Sequence, residues 1–265
     1  MLKKKEAGQV LLIIVLVMVV ALTVGLSVIS RSITTIRTSR EEASSQKALA
    51  AAEAGIEQVL KTNTPIPIGT FFTGEPQTTY GTIVNAVLGT QVLVNGGNTV
   101  PKDEGADIWL VDHNADGTPN FSSPWSGDLT IYWGDSSGDC NNAALEIAVI
   151  SGSQASPILT RYAYDPCSSR RSNNNFSPSS PGGVVNGKSF AFSAALPPIT
   201  SGLVARAVPL YKSSAIGVIA SIALPSQGFI IDSTGVSQGT SRKIIVFKGH
   251  PQLPVQYFLY GLFSP

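Results

Sequence analysis

From Gln9 to Ser30 the chain reads QVLLIIVLVMVVALTVGLSVIS, a stretch that is almost wholly aliphatic and holds no charged residue. Val10 to Ile29 supplies 20 apolar or weakly polar positions. As a helix rising about 1.5 Å per residue, such a run spans the ~30 Å hydrocarbon core of a bilayer once. In lipid every backbone N–H and C=O must be bonded within the segment, so the run is a helix despite the β propensity of its many Val and Ile residues. The rest of the chain has to be arranged on either side of this rod.

The flanking charges orient it. Lys3, Lys4 and Lys5 precede the apolar run and Arg31, Arg37 and Arg40 follow it, whereas the part from Lys61 onward carries 11 Lys+Arg against 12 Asp+Glu. Three lysines in a short leader are a positive-inside signal, which places the N-terminus in the cytoplasm and the bulk of the chain outside a single-pass membrane segment. A near-neutral distal part without a basic stripe offers no footprint for nucleic acid.

Helical character continues past the membrane segment. Ile29, Ile33, Ile36, Leu49, Ala52 and Ile56 recur at spacings that set one apolar stripe, the expected helix-packing face. No proline occurs before Pro65, and KALAAAEAGIEQVL is rich in strong helix formers, with Glu53 and Glu57 expected on the solvent side. A transmembrane and stalk helix over residues 9–61 follows, with Gly25 and Gly55 as its soft points. Pro65 and Pro67 force an extended path after it.

Residues 62–265 form the expected extracytoplasmic β domain. Twelve short β-type runs, from Thr82–Leu88 to Val255–Tyr260, are separated by Gly, Pro, Asn and Ser, and none of the intervals offers the length and period of a crossover helix. The fold class is therefore α+β: a long N-terminal helix followed by an all-antiparallel, sandwich-like β domain. Residues 165–187, dense in Ser, Asn, Pro and Gly, read as a long surface loop within one domain or a boundary between two β halves. Cys140 precedes one run and Cys167 follows the next. If these runs pair as a hairpin through SGSQASP, the cysteines reach the same end of the ladder and, in an oxidising space, bridge; otherwise they are buried thiols.

Three strings bear on chemistry. DHNADG places oxygen ligands at Asp112, Asn114 and Asp116 with a turn glycine at Gly117, the first half of a calcium loop, but Ser123 stands where the bidentate carboxylate belongs. An Asx-type turn explains the same residues, so calcium is the one cofactor left open. GDSSG and GVSQG match G-x-S-x-G at Ser136 and Ser237. A nucleophilic serine needs a histidine base, a buried acid and a strand-to-helix elbow, and GVSQG instead lies between two strands. Turn chemistry accounts for both, and the chain reads as a non-enzyme.

The short basic leader ending in Gly8, set directly against the aliphatic rod, resembles the class III leader of type IV pilins and pseudopilins, and AAEAGIE is similar to the segment that follows the membrane helix in PilX-type minor pilins. The resemblance implies a leader of residues 1–8 removed by prepilin peptidase between Gly8 and Gln9. It implies a subunit held in lipid before assembly and packed by its helix against other pilin-like subunits in an extracellular filament. Gln9 and Ile13 stand where most pilins have an aromatic residue and a glutamate, which points to a minor rather than the repeating subunit. The alternative function is a signal-anchored surface binding module, with calcium as its optional ligand.

Overall fold

The computed structural model describes residues 6–254, apart from Asn63, Ala115, Ser136 and Ser137, together with Phe258. Helix α1 runs unbroken from Glu6 to Thr62, 57 residues. It starts three residues earlier than the rod itself and continues straight through Gly25, where an added Cβ would meet nothing within 4 Å. The lysines of the leader lie outside the described residues. By chain contacts the protein divides into two compact units, residues 1–83 with 232–244, and residues 84–231 with 245–265. The helix thus shares its unit with strands from two distant parts of the sequence, a grouping that a division at residue 62 does not express.

The strands in chain order are β1 Thr70–Phe72, β2 Glu75–Ala86, β3 Gly89–Leu93, β4 Ala106–Trp109, β5 Asp112–His113 and β6 Pro119–Asn120. β7 Trp125–Gly127, β8 Leu129–Trp133, β9 Ala144–Ser153 and β10 Ser156–Asp165 follow. After helix α2, Ser168–Asn174, come β11 Ser177–Pro178, β12 Ser180–Val185, β13 Lys188–Ala195 and β14 Ile199–Leu210. The last are β15 Ile216–Leu224, β16 Gly228–Ser237 and β17 Thr240–Gly249. In the first unit α1 accompanies a sheet of order β1-β2-β16-β17. The second unit carries a sheet β11-β10-β9-β14-β4, with β7 also on β14, and a sheet β12-β13-β8-β15-β3. In the second unit pairing is antiparallel except for the two-residue contact of β10 with β11.

Alternation builds the core of the second unit. Leu129, Ile131 and Trp133 of β8 point inward while Thr130 and Tyr132 are half-buried. One apolar cluster takes these side chains together with Leu145, Ile147 and Val149 of β9, Ala205 and Ala207 of β14, and Ile216 and Val218 of β15. The Trp133 indole N–H, buried with its ring, donates to Ala143 O at 2.9 Å, which removes the cost of an unmade bond there. β9 is buried on both faces: Ala148 and Ile150 belong to a second cluster with Trp109, Val111, Leu203, Val204 and Phe258.

Residues 165–187 are not one loop, contrary to the composition-based expectation: they hold α2, β11 and β12. Two local features order them. The Asp165 carboxylate, fully buried, accepts from Arg170 at 2.7 Å, from the Cys167 amide at 2.8 Å and from Asn174 at 2.9 Å. Burial opposes its charge, but these donors hold its pKa below the ordinary carboxylate range. Gly182 of β12 sits where an added Cβ would lie 2.0 Å from Phe190 O, so only glycine lets β12 close onto β13. The run at Val255–Tyr260 falls outside the described residues except for Phe258.

β9 and β10 form the hairpin, with Leu145 opposite Tyr164, and Cys140 and Cys167 at its open end are joined in a disulfide. The bridge closes 27 residues of sequence separation, for which chain entropy gives ~3.5 kcal/mol of stabilisation. The double variant Cys140→Ser/Cys167→Ser is expected to lose about that amount in denaturant titration, and reductant should reproduce the loss in the parent chain.

Candidate functional site

The feature that separates this molecule from an ordinary α+β protein is the two-part surface of α1. From Val10 to Ile29 every large apolar side chain is exposed by more than half, among them Leu12 at 69% and Met18 at 69%. By length and composition this helix can cross a membrane. Four of its threonine hydroxyls are satisfied inside the helix: Thr23 Oγ1 donates to Val20 O at 2.8 Å, and Thr34, Thr35 and Thr38 donate to carbonyls one turn back. A hydroxyl bonded this way carries no unmet donor into lipid. Gly8 and Gln9 lie near the described start of the helix.

The last third of α1 is different. Ala48, Ala51, Ala52, Gly55, Ile56 and Val59 are buried, whereas Glu53 and Glu57 face solvent. The apolar stripe read from spacing therefore divides: Ala52 and Ile56 pack, while Ile29, Ile33 and Ile36 are more than half exposed and Leu49 is 41% exposed. The reason is the size of the side chains at the contact. The inward positions of β16 beside the helix are Ser233, Gly235 and Ser237, small enough to bring the helix backbone onto the strand. A Cβ on Gly235 would lie 2.0 Å from Ala48 O, and one on Gly55 would lie 2.3 Å from Ser233 Oγ. Gly55 is thus a contact point of the helix, not a soft one, and leucine at position 49 has no place on such a face.

Close approach lets polar groups bridge the contact. Ser233 Oγ donates to Ala52 O at 2.7 Å and Tyr80 OH to Gln58 Oε1 at 2.8 Å. Arg242 Nε donates to Ser45 Oγ at 2.8 Å, and within the sheet Thr78 Oγ1 of β2 donates to Ser237 Oγ of β16 at 3.0 Å. Sequence reading missed this face because it looked for large apolar residues; the available signal was the alternation of small residues in GFIIDSTGVS.

The other candidates are placed as follows. Asp112–Gly117 closes as a turn: Asp116 Oδ1 accepts from Thr118 N at 2.9 Å and Thr118 Oγ1 at 2.6 Å, and Asn114 Nδ2 donates to Thr118 Oγ1. These bonds from Thr118 hold the Asp116 carboxyl below its usual range. Among the described residues no group of three His, Cys, Asp or Glu side chains is gathered as a metal site would require. Ser237 is buried at the end of β16 in the hydrogen bond from Thr78, and Ser136 lies outside the described residues.

Both histidines belong to the second unit and meet: the rings of His113 and His250 stack at 3.7 Å with 1° between their planes, and the edge of Trp109 meets His113 at 4.5 Å. Burial first, then the neighbouring His250, pushes His113 down to about 4 against the pull of Asp112. No spacing in the sequence announces this stack.

No family model, curated protein or solved structure matches the chain.

Proposed function

We propose that the chain is a minor structural subunit of a type IV pilus-like filament, anchored in the membrane before assembly and packed through its N-terminal helix afterwards. The observation that carries this reading is the division of α1, whose first half exposes an uncharged aliphatic surface while its last turns are clamped to a sheet. An apolar rod rigidly attached to a folded body can exchange lipid for the equally apolar rods of neighbouring subunits without meeting water. The body is then carried outside, where the Cys140–Cys167 bridge is stable. We read the two sheets of the second unit as the faces of a sandwich, displayed on the filament surface.

Isoleucine at position 13 leaves no carboxylate to bury at the N-terminal end of the rod, which suits a subunit present in few copies. Partners on this reading are other pilin-like subunits, a prepilin peptidase that cuts between Gly8 and Gln9, and membrane lipid; nucleic acid is not among them. N-terminal sequencing and intact mass of the mature protein test the reading, with Gln9 as the expected first residue. Retention of Met1 would favour an uncleaved anchor bearing a surface binding module, and a cut beyond Ser30 would make the rod a discarded signal. Either result overturns the pilin reading.

A further inference from the structure

The second cluster of the β unit is covered by the C-terminal end of the described chain. His250–Pro254 has no regular secondary structure, and Leu253 and Phe258 pack on the sheet face made by Trp109, Val111, Ala148, Ile150, Leu203 and Val204. Beyond these apolar contacts the segment is held at two points. At one, the Leu253 amide donates to Asp107 Oδ2 at 2.7 Å, Arg206 Nη2 donates to Leu253 O, and the Arg206 guanidinium lies 4.0 Å from the centre of the Phe258 ring. At the other, His250 stacks on His113.

This second point is costly. His250 Nε2, both ring nitrogens of His113 and Trp109 Nε1 are buried without a hydrogen-bond partner, and each such group destabilises the closed structure. Beneath the segment is a cavity of about 260 Å³, lined among others by Asp107, Trp109, Gln227, Phe247, His250 and Gln252. When the segment lifts, water reaching the four nitrogens satisfies them. We propose that His250–Pro254 is an acid-released strap: the stack of His250 on His113 latches it over the Trp109 face of the sheet, and protonation of the stacked pair opens it.

The trigger is the stacked histidine pair. His250 is hydrogen-bonded to the Ser226 backbone, so an added proton goes to Nε2, where no acceptor stands. Burial first, and the Lys248 ammonium on β17 after it, lower its pKa, opposed by the Ser226 carbonyl. From β5, His113 presents its ring face and Asp112 lies beside it; from β16, Phe229 meets His250 at 6.0 Å, edge to face. Farther along, Asp107 and Arg206 face Leu253 and neutralise each other. With neither nitrogen bonded, His113 is pushed down to about 4, so both rings of the stack take up protons more readily once the strap lifts. A group whose pKa is lowered in the closed state supports closure above the ordinary histidine value, ~6.5, and withdraws that support as pH falls below it.

Hydrogen exchange of the full chain in dodecyl maltoside micelles, read by mass spectrometry and corrected for intrinsic pH dependence, tests the proposal. Between about pH 7 and about pH 4.5 the peptide containing Leu253 is expected to lose protection about tenfold, with the β9–β10 hairpin unchanged. His113→Phe/His250→Phe, or His113→Gln/His250→Gln if the first does not fold, should remove this pH dependence. The proposal fails if the Leu253 peptide is equally protected at both pH values, if the hairpin opens with it, or if the double variants respond to acid as the parent does.

Discussion

Asp107→Ala is expected to cost the β unit about 3–5 kcal/mol, read as a lower denaturation midpoint with an unchanged slope. Asp107 and Arg206 are cross-strand neighbours on β4 and β14, and their side chains are 1% and 5% exposed. The guanidinium meets the carboxylate through two bonds, Nε to Oδ1 at 2.6 Å and Nη2 to Oδ2 at 2.8 Å, while the same carboxylate accepts from the Leu253 amide. Removing the acid leaves a buried cation and an unmet amide, and that uncompensated pair sets the size of the loss. The double variant Asp107→Leu/Arg206→Met removes both charges at similar volume and should recover most of the stability. If it is as unstable as the single variant, the effect belongs to packing and not to the orphaned charge.

Gly235→Ala should be nearly as damaging, at about 3 kcal/mol, although it adds one methyl group. That methyl would lie 2.0 Å from Ala48 O and 2.7 Å from Ala52 N, both backbone atoms of α1, so no side-chain rotation relieves the clash. The helix must move off β16, breaking the bond from Ser233 to Ala52 O and exposing the small-residue face. Val236→Ala, one residue on and pointing to the opposite, exposed side, should change stability by less than about 0.5 kcal/mol. Trypsin digestion of the full chain in detergent micelles would report the difference as rapid cleavage at Lys47 and Lys61 in Gly235→Ala alone.

These two positions show where reading of the chain reaches its limit. Leu129, Ile131 and Trp133 announce an inward strand face by alternation, and the Ser-Gly turn between β9 and β10 announces a hairpin whose ends carry the cysteines. Both are short-range signals, carried within ten or so residues. Around Gly235 the sequence signals only small size, because the demand for glycine there comes from the backbone of Ala48, brought near only by folding. The stripe of isoleucines on α1 misled for the same reason: periodicity says which residues share a helix face, but the neighbour determines whether that face wants bulk or its absence. Ordering within residues 165–187 was hidden because Ser, Asn and Gly serve equally in a loop and around a buried Asp165.

What the chain by itself determined is the rod: about twenty uncharged aliphatic positions must form a helix and must find lipid or other apolar rods, whatever lies downstream. It also determined the β character of the remainder, since period-two runs broken by Gly and Pro leave no room for long helices. Only the tertiary structure decided that the end of α1 joins β1, β2, β16 and β17 in one unit, that a buried Asp107–Arg206 pair ties down Leu253, and that His113 and His250 share a stack. Those outcomes depend on contacts between residues remote in sequence, where the deciding quantity is the space and polarity offered by the partner, and no residue carries a record of its partner in its own neighbourhood.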